Sequence, residues 1–205
     1  EAMLHSYYPD ILKLIPDQAK VLDLGCGDGS LLAQLRDQRS VIGYGIEIEF
    51  ESVKSCIQKG IPVFQGNLNE GLQEFKPNSF DWVLLSQTLQ QIDDPVTLLN
   101  RMCEVGKRVI VTFPNFGHIL VRLHHGFSGE SPKTKTLPYD WFNTPNIRVI
   151  TIQDFRSLCE REGIKIHQEI PLFSPLLKRL CPKFLYNLFS KKGLFVISKD
   201  SEVSE

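Results

Sequence analysis

The stretch VLDLGCGDGSLL, residues 21–32, restricts the fold of this chain more than any other. An apolar run typical of a buried strand leads into Gly25, Gly27 and Gly29, and a leucine repeat typical of a helix follows at once. Glycines at such a turn let the backbone bend sharply and come close to a ligand, and Gly29 opens the helix. The stretch therefore predicts a strand, a ligand-binding turn and a helix of an α/β fold.

The rest of the chain repeats this alternation of short apolar runs and amphipathic stretches, which is typical of strands connected through helices into a parallel sheet. Strands are predicted at 20–24, 41–46, 61–65, 80–86, 108–113, 164–170 and 193–199. Helices are predicted after the glycine turn, after Pro95, which suits a first helical turn, and over 152–162, ending at Gly163. We expect a single α/β domain over 3–199, with a polar tail at 200–205.

Two segments interrupt the alternation and are expected as insertions at the rim of the sheet: 114–150 and 172–192. The stretch before the first strand is too short for a separate lid domain, so any cover over a substrate is expected from 114–150. Segment 173–192 has five basic residues and no acidic one, with Pro182 between two apolar repeats. It is interpreted as two short helices covering the sheet edge, with a surface for a protein partner as the alternative.

Composition excludes several classes of protein. The formal net charge of −1 argues against a general nucleic-acid binder. Five cysteines without a CxxC pair predict reduced, buried thiols, and the absence of an apolar run of about 20 residues or a signal-peptide pattern predicts a cytoplasmic protein. His118, His124 and His125 match no common zinc spacing, so no metal is expected and these histidines are predicted at the surface or rim.

Two carboxylates flanking the glycine turn help to choose its ligand. Asp23 precedes the first glycine by two residues, where it would repel a pyrophosphate but could accept from an ammonium group. The spacing GxGxG also departs from the GxGxxG of dinucleotide sites, so NAD-dependent oxidoreduction is the least favoured function. Glu47 ends the second predicted strand, where a carboxylate can bind ribose hydroxyls.

Together, VLDLGCGDG and GYGIE resemble the S-adenosylmethionine site of class I methyltransferases, over roughly residues 20–170. The resemblance implies a Rossmann-like, mostly parallel seven-stranded sheet with an antiparallel last strand and helices on both faces. It also implies S-adenosylmethionine or S-adenosylhomocysteine as cofactor, with the methionine part near the glycine turn, the ribose at Glu47, the adenine at GNL (66–68) and the sulfonium near Ser86. The cofactor-binding residues so implied are Asp23, Gly25, Cys26, Gly27, Gly29, Glu47, Ile48, Asn67, Leu68 and Ser86. The family usually has Asp where this chain has Asn67.

Four further motifs narrow the resemblance: SFDWVLLSQTLQ, VTFPNFGH, LPYDWFNTPNI and TIQDF are similar to those of the MetW family. This resemblance implies a role in methionine biosynthesis in support of a homoserine O-acyltransferase, and it supplies no methyl acceptor. An active methyltransferase on an unidentified small molecule is the alternative, and no catalytic residue is assigned. Candidate contacts to a substrate or partner are Gln87, Gln90, Asn115, Tyr139 and Trp141. The glutamines could equally form a polar loop, and the aromatic pair could pin the insertion to the core.

Overall fold

The computed structural model describes residues 7–68, 72–134, 137–172 and 181–199. Within these ranges seven strands form one sheet. The strands are β1 (Lys20–Leu24), β2 (Ile42–Glu47), β3 (Val63–Gln65), β4 (Phe80–Ser86), β5 (Gly106–Pro114), β6 (Lys165–Glu169) and β7 (Lys192–Ser198). The helices are α1 (Tyr8–Leu14), α2 (Ser30–Arg39), α3 (Phe50–Gln58), α4 (Pro95–Val105), α5 (Ile119–Ser128), α6 (Ile152–Arg161) and α7 (Tyr186–Phe189).

The strand order is β3-β2-β1-β4-β5-β7-β6, with β7 antiparallel to both of its neighbours and the other pairs parallel. This confirms the predicted fold, and the predicted strands differ from the observed ones by at most two residues at either end. The chain moves outward in one direction from β1 to β3 and in the other from β4 to β5. Such a reversal leaves a crevice at the carboxyl ends of the two central strands, β1 and β4.

The core lies on both faces of the sheet because side chains along each strand alternate between them. On β1, Leu22 and Leu24 pack in one cluster with buried residues of α4 and α6, whereas Val21 packs in the other with α1 and α2. Helices cover both faces of the sheet, so its carboxyl edge is the place where loops can form a site.

Helix ends follow the predicted signals. Asp94 caps α4 by accepting from the backbone N–H of Thr97 at 3.1 Å, with Pro95 as the first helical residue. Thr151 and Asp154 form a capping box at the start of α6. Gly163, just after that helix, has a φ of +66°, as its predicted stop position requires.

Two helices lie outside the predicted alternation of strands and helices, α1 before the first strand and α5 inside the 114–150 insertion. His118, predicted at the surface or rim, is buried instead, and its Nδ1 accepts from the N–H of Leu120 at the start of α5. Four cysteines are buried as predicted, but Cys181 is only half-buried. In the basic segment, residues 183–189 form a short 3-10 turn followed by α7, and the predicted helix before Pro182 falls largely at 173–180, outside the described residues.

Candidate functional site

The glycine turn between β1 and α2 adopts backbone dihedral angles that are unfavourable for residues with a side chain. Gly25, Gly27 and Gly29 have φ angles of +68°, +55° and +75°. A Cβ on Gly25 would lie 2.8 Å from Oγ1 of Thr88, and one on Gly29 would lie 2.9 Å from Sγ of Cys56. A Cβ on Gly27 would meet nothing within 4 Å, so the space beside this residue is open to a ligand.

Glu47, at the end of β2, stabilises this turn by accepting hydrogen bonds from backbone N–H groups. Its Oε2 accepts from the N–H of Gly27 at 2.8 Å, and its Oε1 accepts from the N–H groups of Ile48 at 2.9 Å and Glu49 at 3.0 Å. The side chain is buried rather than solvated. Since a carboxylate has about four acceptor positions, one remains for a ligand hydroxyl at Oε2.

Asp23, on β1 two residues before the first glycine of the turn, is 1% exposed, and its Oδ1 has no hydrogen-bond partner among the described residues. Burial raises the pKa of this carboxyl to about 8, and the nearby charge of Glu47 adds to the effect. A buried carboxylate without a partner is costly, so this position is suited to receive a cation.

A cleft of about 290 Å³ opens beside the turn. It joins five predicted residues, Gly25, Glu47, Ile48, Asn67 and Leu68, with Thr88, Gln91, Ile92 and Asp93. The last four follow β4 and were not predicted as cofactor contacts. The signal that could have found them is the position of β4 next to β1, because loops after both strands border the crevice.

Ser86, at the end of β4, faces the N-terminal segment. Its Oγ lies 2.6 Å from the hydroxyl of Tyr7, and burial raises the pKa of that phenol to about 12. The ammonium of Lys192 lies 4.6 Å from the centroid of the Tyr7 ring. Tyr7, in the segment before β1, thus covers Ser86 and Lys192, although the sequence indicated only that this segment is too short for a lid domain.

Cys26, inside the glycine turn, packs against a second thiol. Its Sγ lies 3.8 Å from Sγ of Cys56 on α3, and burial raises the pKa of both thiols. Their contact positions α3 against the turn, and Gly45 leaves the room that Cys26 needs.

Gln87 and Gln90 form a hydrogen-bonded loop after β4. Gln87 has a left-handed φ of +57°, and its backbone N–H and side-chain amide both donate to Oγ1 of Thr112. The amide of Gln90 donates to the carbonyl of Gln87 at 2.6 Å, while its Oε1 is buried with no partner among the described residues. The loop is therefore ordered by its own side chains, with one acceptor still open.

Asn115 is 2% exposed, and its side chain makes four hydrogen bonds to backbone groups of the protein. Its amide N–H groups donate to the carbonyls of Asn187 and Ser190, and its Oδ1 accepts from the N–H groups of Gly117 and Ile152. This side chain joins the end of β5 to the starts of α6 and β7, so its geometry is that of a structural tie.

Replacing Asn115 with alanine is expected to lower the free energy of unfolding by about 2 kcal/mol, because buried backbone groups lose their partners. Urea unfolding measures this. Asn143→Ala, at an exposed residue whose Oδ1 accepts a single hydrogen bond, is the matched control. An Asn115 variant as stable as the control would contradict the structural role.

Tyr139 and Trp141 lie away from the cleft, 50% and 76% exposed, so they do not pin the insertion to the core. Both line a separate cavity of about 620 Å³ formed by α5 with residues 131–132 and 137–149. The structure therefore places these two aromatic candidates around a second, larger cavity.

No cluster of three or more metal-ligating side chains is found in the part of the chain that the structure describes. Nor does any described helix have the length and apolar content to cross a membrane.

The sheet order, the glycine turn and the carboxylates ending β1 and β2 together define a class I methyltransferase fold. An S-adenosylmethionine-dependent methyltransferase from Archaeoglobus fulgidus matches with a TM-score of 0.68 and 16% identity, covering 96% of this chain and 93% of that one. One from Mesorhizobium loti matches with a TM-score of 0.68 and 14% identity, covering 94% and 97%. At these identities the match concerns the fold.

Sequence comparison then identifies the family. The chain belongs to the MetW family, described as methionine biosynthesis protein MetW, whose model matches residues 6–197. The bifunctional methionine biosynthesis protein MetXA/MetW of Rhodopirellula baltica is 40% identical over 169 residues, or 78% of this chain. The matched region spans 27% of that relative's length.

Proposed function

We propose that this protein binds S-adenosylmethionine or S-adenosylhomocysteine in the cleft beside the glycine turn and supports a homoserine O-acyltransferase in methionine biosynthesis. The observation that carries the cofactor assignment is the buried, unpartnered Oδ1 of Asp23. The amino acid part of either cofactor has an ammonium group, which would satisfy this carboxylate as a charge-assisted hydrogen-bond donor.

Three further features fit the same cofactor. The open space beside Gly27 admits the close approach of a ligand to the backbone. The remaining acceptor position of Glu47 suits a ribose hydroxyl. Asn67 and Leu68 line the far part of the cleft, where the amide oxygen of Asn67 could accept from the adenine amino group.

Each of these residues would act by binding and orientation. When bound, S-adenosylmethionine supplies an activated methyl group on a sulfonium, and transfer from it needs little acid or base catalysis. Tyr7 and Ser86 would close the site and exclude water from the region beside the sulfonium. Such a site can serve a protein that senses the concentration of the cofactor as well as one that transfers its methyl group.

The proposed partner rests on the relative from Rhodopirellula baltica, whose name joins MetXA and MetW in one bifunctional protein. We take the MetXA part to be the homoserine O-acyltransferase that the family resemblance implies. Fusion of two functions into one chain favours partners that act together.

Calorimetric titration with each cofactor, with and without a purified homoserine O-acyltransferase, tests both parts of the proposal. We expect each cofactor to bind and the acyltransferase to change its affinity by about fivefold or more, since coupling between two ligands is reciprocal. NADH should give no heat of binding. Absence of cofactor binding would contradict the cleft assignment, and an affinity indifferent to the acyltransferase would contradict the partnership.

The alternative is a free-standing methyltransferase for a small acceptor, favoured by the second cavity, whose Arg148 donates to the carbonyls of the cleft residues Ile92 and Asp93. It predicts steady formation of S-adenosylhomocysteine once the acceptor is supplied.

A further inference from the structure

The cavity that α5 forms with residues 131–132 and 137–149 has its own binding chemistry. Its volume of about 620 Å³ lies within the range of about 300–1,000 Å³ typical of small-molecule sites. Its walls are mainly apolar and include Phe116, Val121, Leu137, Tyr139, Trp141 and Ile147. An aromatic or aliphatic body of a ligand would be buried against these side chains.

Two arginines, one on each side, give the cavity a positive charge. Arg122 extends from α5 and uses its Nε to donate to the carbonyl of Gly117 at 2.7 Å. Arg148 donates to the carbonyls of Ile92 and Asp93. Among the described residues, Nη1 and Nη2 of Arg122 and Nη1 of Arg148 make no further hydrogen bond, so both guanidinium groups keep donors for a ligand.

The one carboxylate in the described lining is already paired, and Asp94, outside the lining, is the carboxylate whose pKa the charge of Arg148 helps to lower. Asp140 forms an ion pair with Lys133 at 2.8 Å, so it does not offset the two arginines. His125 also lines the cavity and adds no negative charge. The balance favours an anion, and arginine donors match a carboxylate in both charge and planar geometry.

The wall that contains Arg148 is fixed by backbone contacts. The N–H groups of Ile147 and Arg148 both donate to the carbonyl of Gln90 at 3.0 Å, in the turn that precedes the cofactor cleft residues Ile92 and Asp93. Together with the bonds of its guanidinium group to the carbonyls of Ile92 and Asp93, this orients Arg148 before any ligand arrives, which lowers the entropy cost of binding.

We propose that this cavity is a binding site for a small organic carboxylate with an apolar or aromatic body. The site is separate from the cofactor cleft and does not depend on cofactor binding. Arg122 and Arg148 recognise the carboxylate, and the aromatic wall with Trp141 holds the body.

Three probes with one apolar body and different charges test the proposal: indole-3-acetate, indole-3-acetamide and tryptamine. The chain has two tryptophans, so a titration followed by NMR of the 15N-labelled indole N–H groups reports on Trp141 in the cavity and Trp82 on β4 as an internal reference. We expect indole-3-acetate to shift the Trp141 resonance with an affinity about tenfold above that for the amide, and tryptamine to bind most weakly. Trp82 should remain unmoved.

Variants assign the charge preference to the two arginines. Arg122→Gln and Arg148→Gln should each lower the affinity for indole-3-acetate by about tenfold while the amide binds within about twofold of its original affinity. Arg39→Gln, on α2 with a single ion pair to Asp17, is the matched control and should change neither. Retained binding of the amide shows that a variant's cavity is still folded.

Several results would overturn the proposal. Equal affinity for the three probes, or a preference that survives both arginine variants, would show that charge does not determine binding. If no probe shifted the Trp141 resonance, the cavity would not be a small-molecule site, and a protein partner would be the remaining candidate for this face. Displacement of indole-3-acetate by saturating S-adenosylhomocysteine would place the probe in the cofactor cleft, whereas failure of S-adenosylhomocysteine to bind at all would contradict only the proposed function.

Discussion

Replacing Glu47 with alanine should weaken S-adenosylhomocysteine binding by about 300-fold, because two effects combine. The carboxylate provides the acceptor for the ribose, and it also holds the N–H groups of Gly27, Ile48 and Glu49 in position. A hydrogen bond to a charged group contributes about 1.5–3 kcal/mol, so loss of the ligand contact and of the brace on Gly27 accounts for the expected change. Calorimetric titration measures it.

The matched control is Glu49→Ala, which removes the same charge two residues away. Glu49 is exposed, and its contact with Glu47 is made through its backbone N–H, so affinity should change by less than about threefold. Glu47→Gln keeps one acceptor oxygen and should fall between the two variants. Circular dichroism and thermal unfolding confirm that each variant is folded. If Glu47→Ala bound as tightly as Glu49→Ala, the cleft would not be the ribose site.

The sequence predicts the centre of this fold well because the central strands are buried on both faces. The predicted bounds of β1 and β4 coincide with the observed ones, since their continuous apolar runs reflect burial between two helix layers. The glycine turn is equally well predicted, because three positive φ angles require glycine whatever the surroundings. Both features depend on residues close together in the sequence, so the local pattern is enough to predict them.

Features that depend on long-range contacts were harder to predict. Of the residues in α5, only Val121 is buried, and Leu120, Leu123 and Phe127 are exposed, so the helix has no apolar stripe facing the core. The structural tie made by Asn115 joins it to Asn187 and Ser190, more than 70 residues further along the chain. The cleft residues Gln91 to Asp93 are likewise placed by the packing of β4 beside β1. These contacts join residues far apart in the sequence, so no pattern within a short stretch of sequence predicts them.

Asp23→Asn should reduce cofactor affinity by about 500-fold at pH 7.5, the largest effect expected for a single substitution here. A buried charge pair that loses one partner costs about 3–5 kcal/mol, because the other charge is left without compensation in a site of low polarity. Asp23 is 1% exposed, so solvent cannot replace it as a partner for the ligand's ammonium. Asparagine has nearly the same volume and retains an oxygen, so the loss reports on charge.

The same residue predicts how affinity depends on pH. Burial, with a further contribution from the charge of Glu47, raises the pKa of Asp23 to about 8, so the ligand's ammonium must displace a proton when it binds at lower pH. Affinity should therefore rise by about 20-fold from pH 6 to pH 7.5, a range in which an α-ammonium of pKa about 7.7–8 is still mostly charged. Titrations in buffers of different ionisation enthalpy should show the release of close to one proton at pH 6.

Stability without ligand should show the opposite dependence on pH. The folded-state pKa of about 8 exceeds the ordinary value of 3.8, so the contribution of Asp23 to folding is full below about pH 4 and is lost as the pH rises to about 8. Asp23→Asn removes this loss, and the stability of the variant relative to the original protein should increase between pH 5 and pH 8. Urea unfolding at the two pH values measures the difference.

Asp28→Asn is the matched control for both pH experiments, because it removes a carboxylate from the same turn. Ser30 and Lys59 bond to this side chain and hold its pKa at about 2, well below the tested range. Its variant should therefore keep both pH dependences of the original protein. Cofactor affinity that stays constant from pH 6 to pH 7.5 in the original protein would contradict the coupling of ligand binding to the ionisation of Asp23.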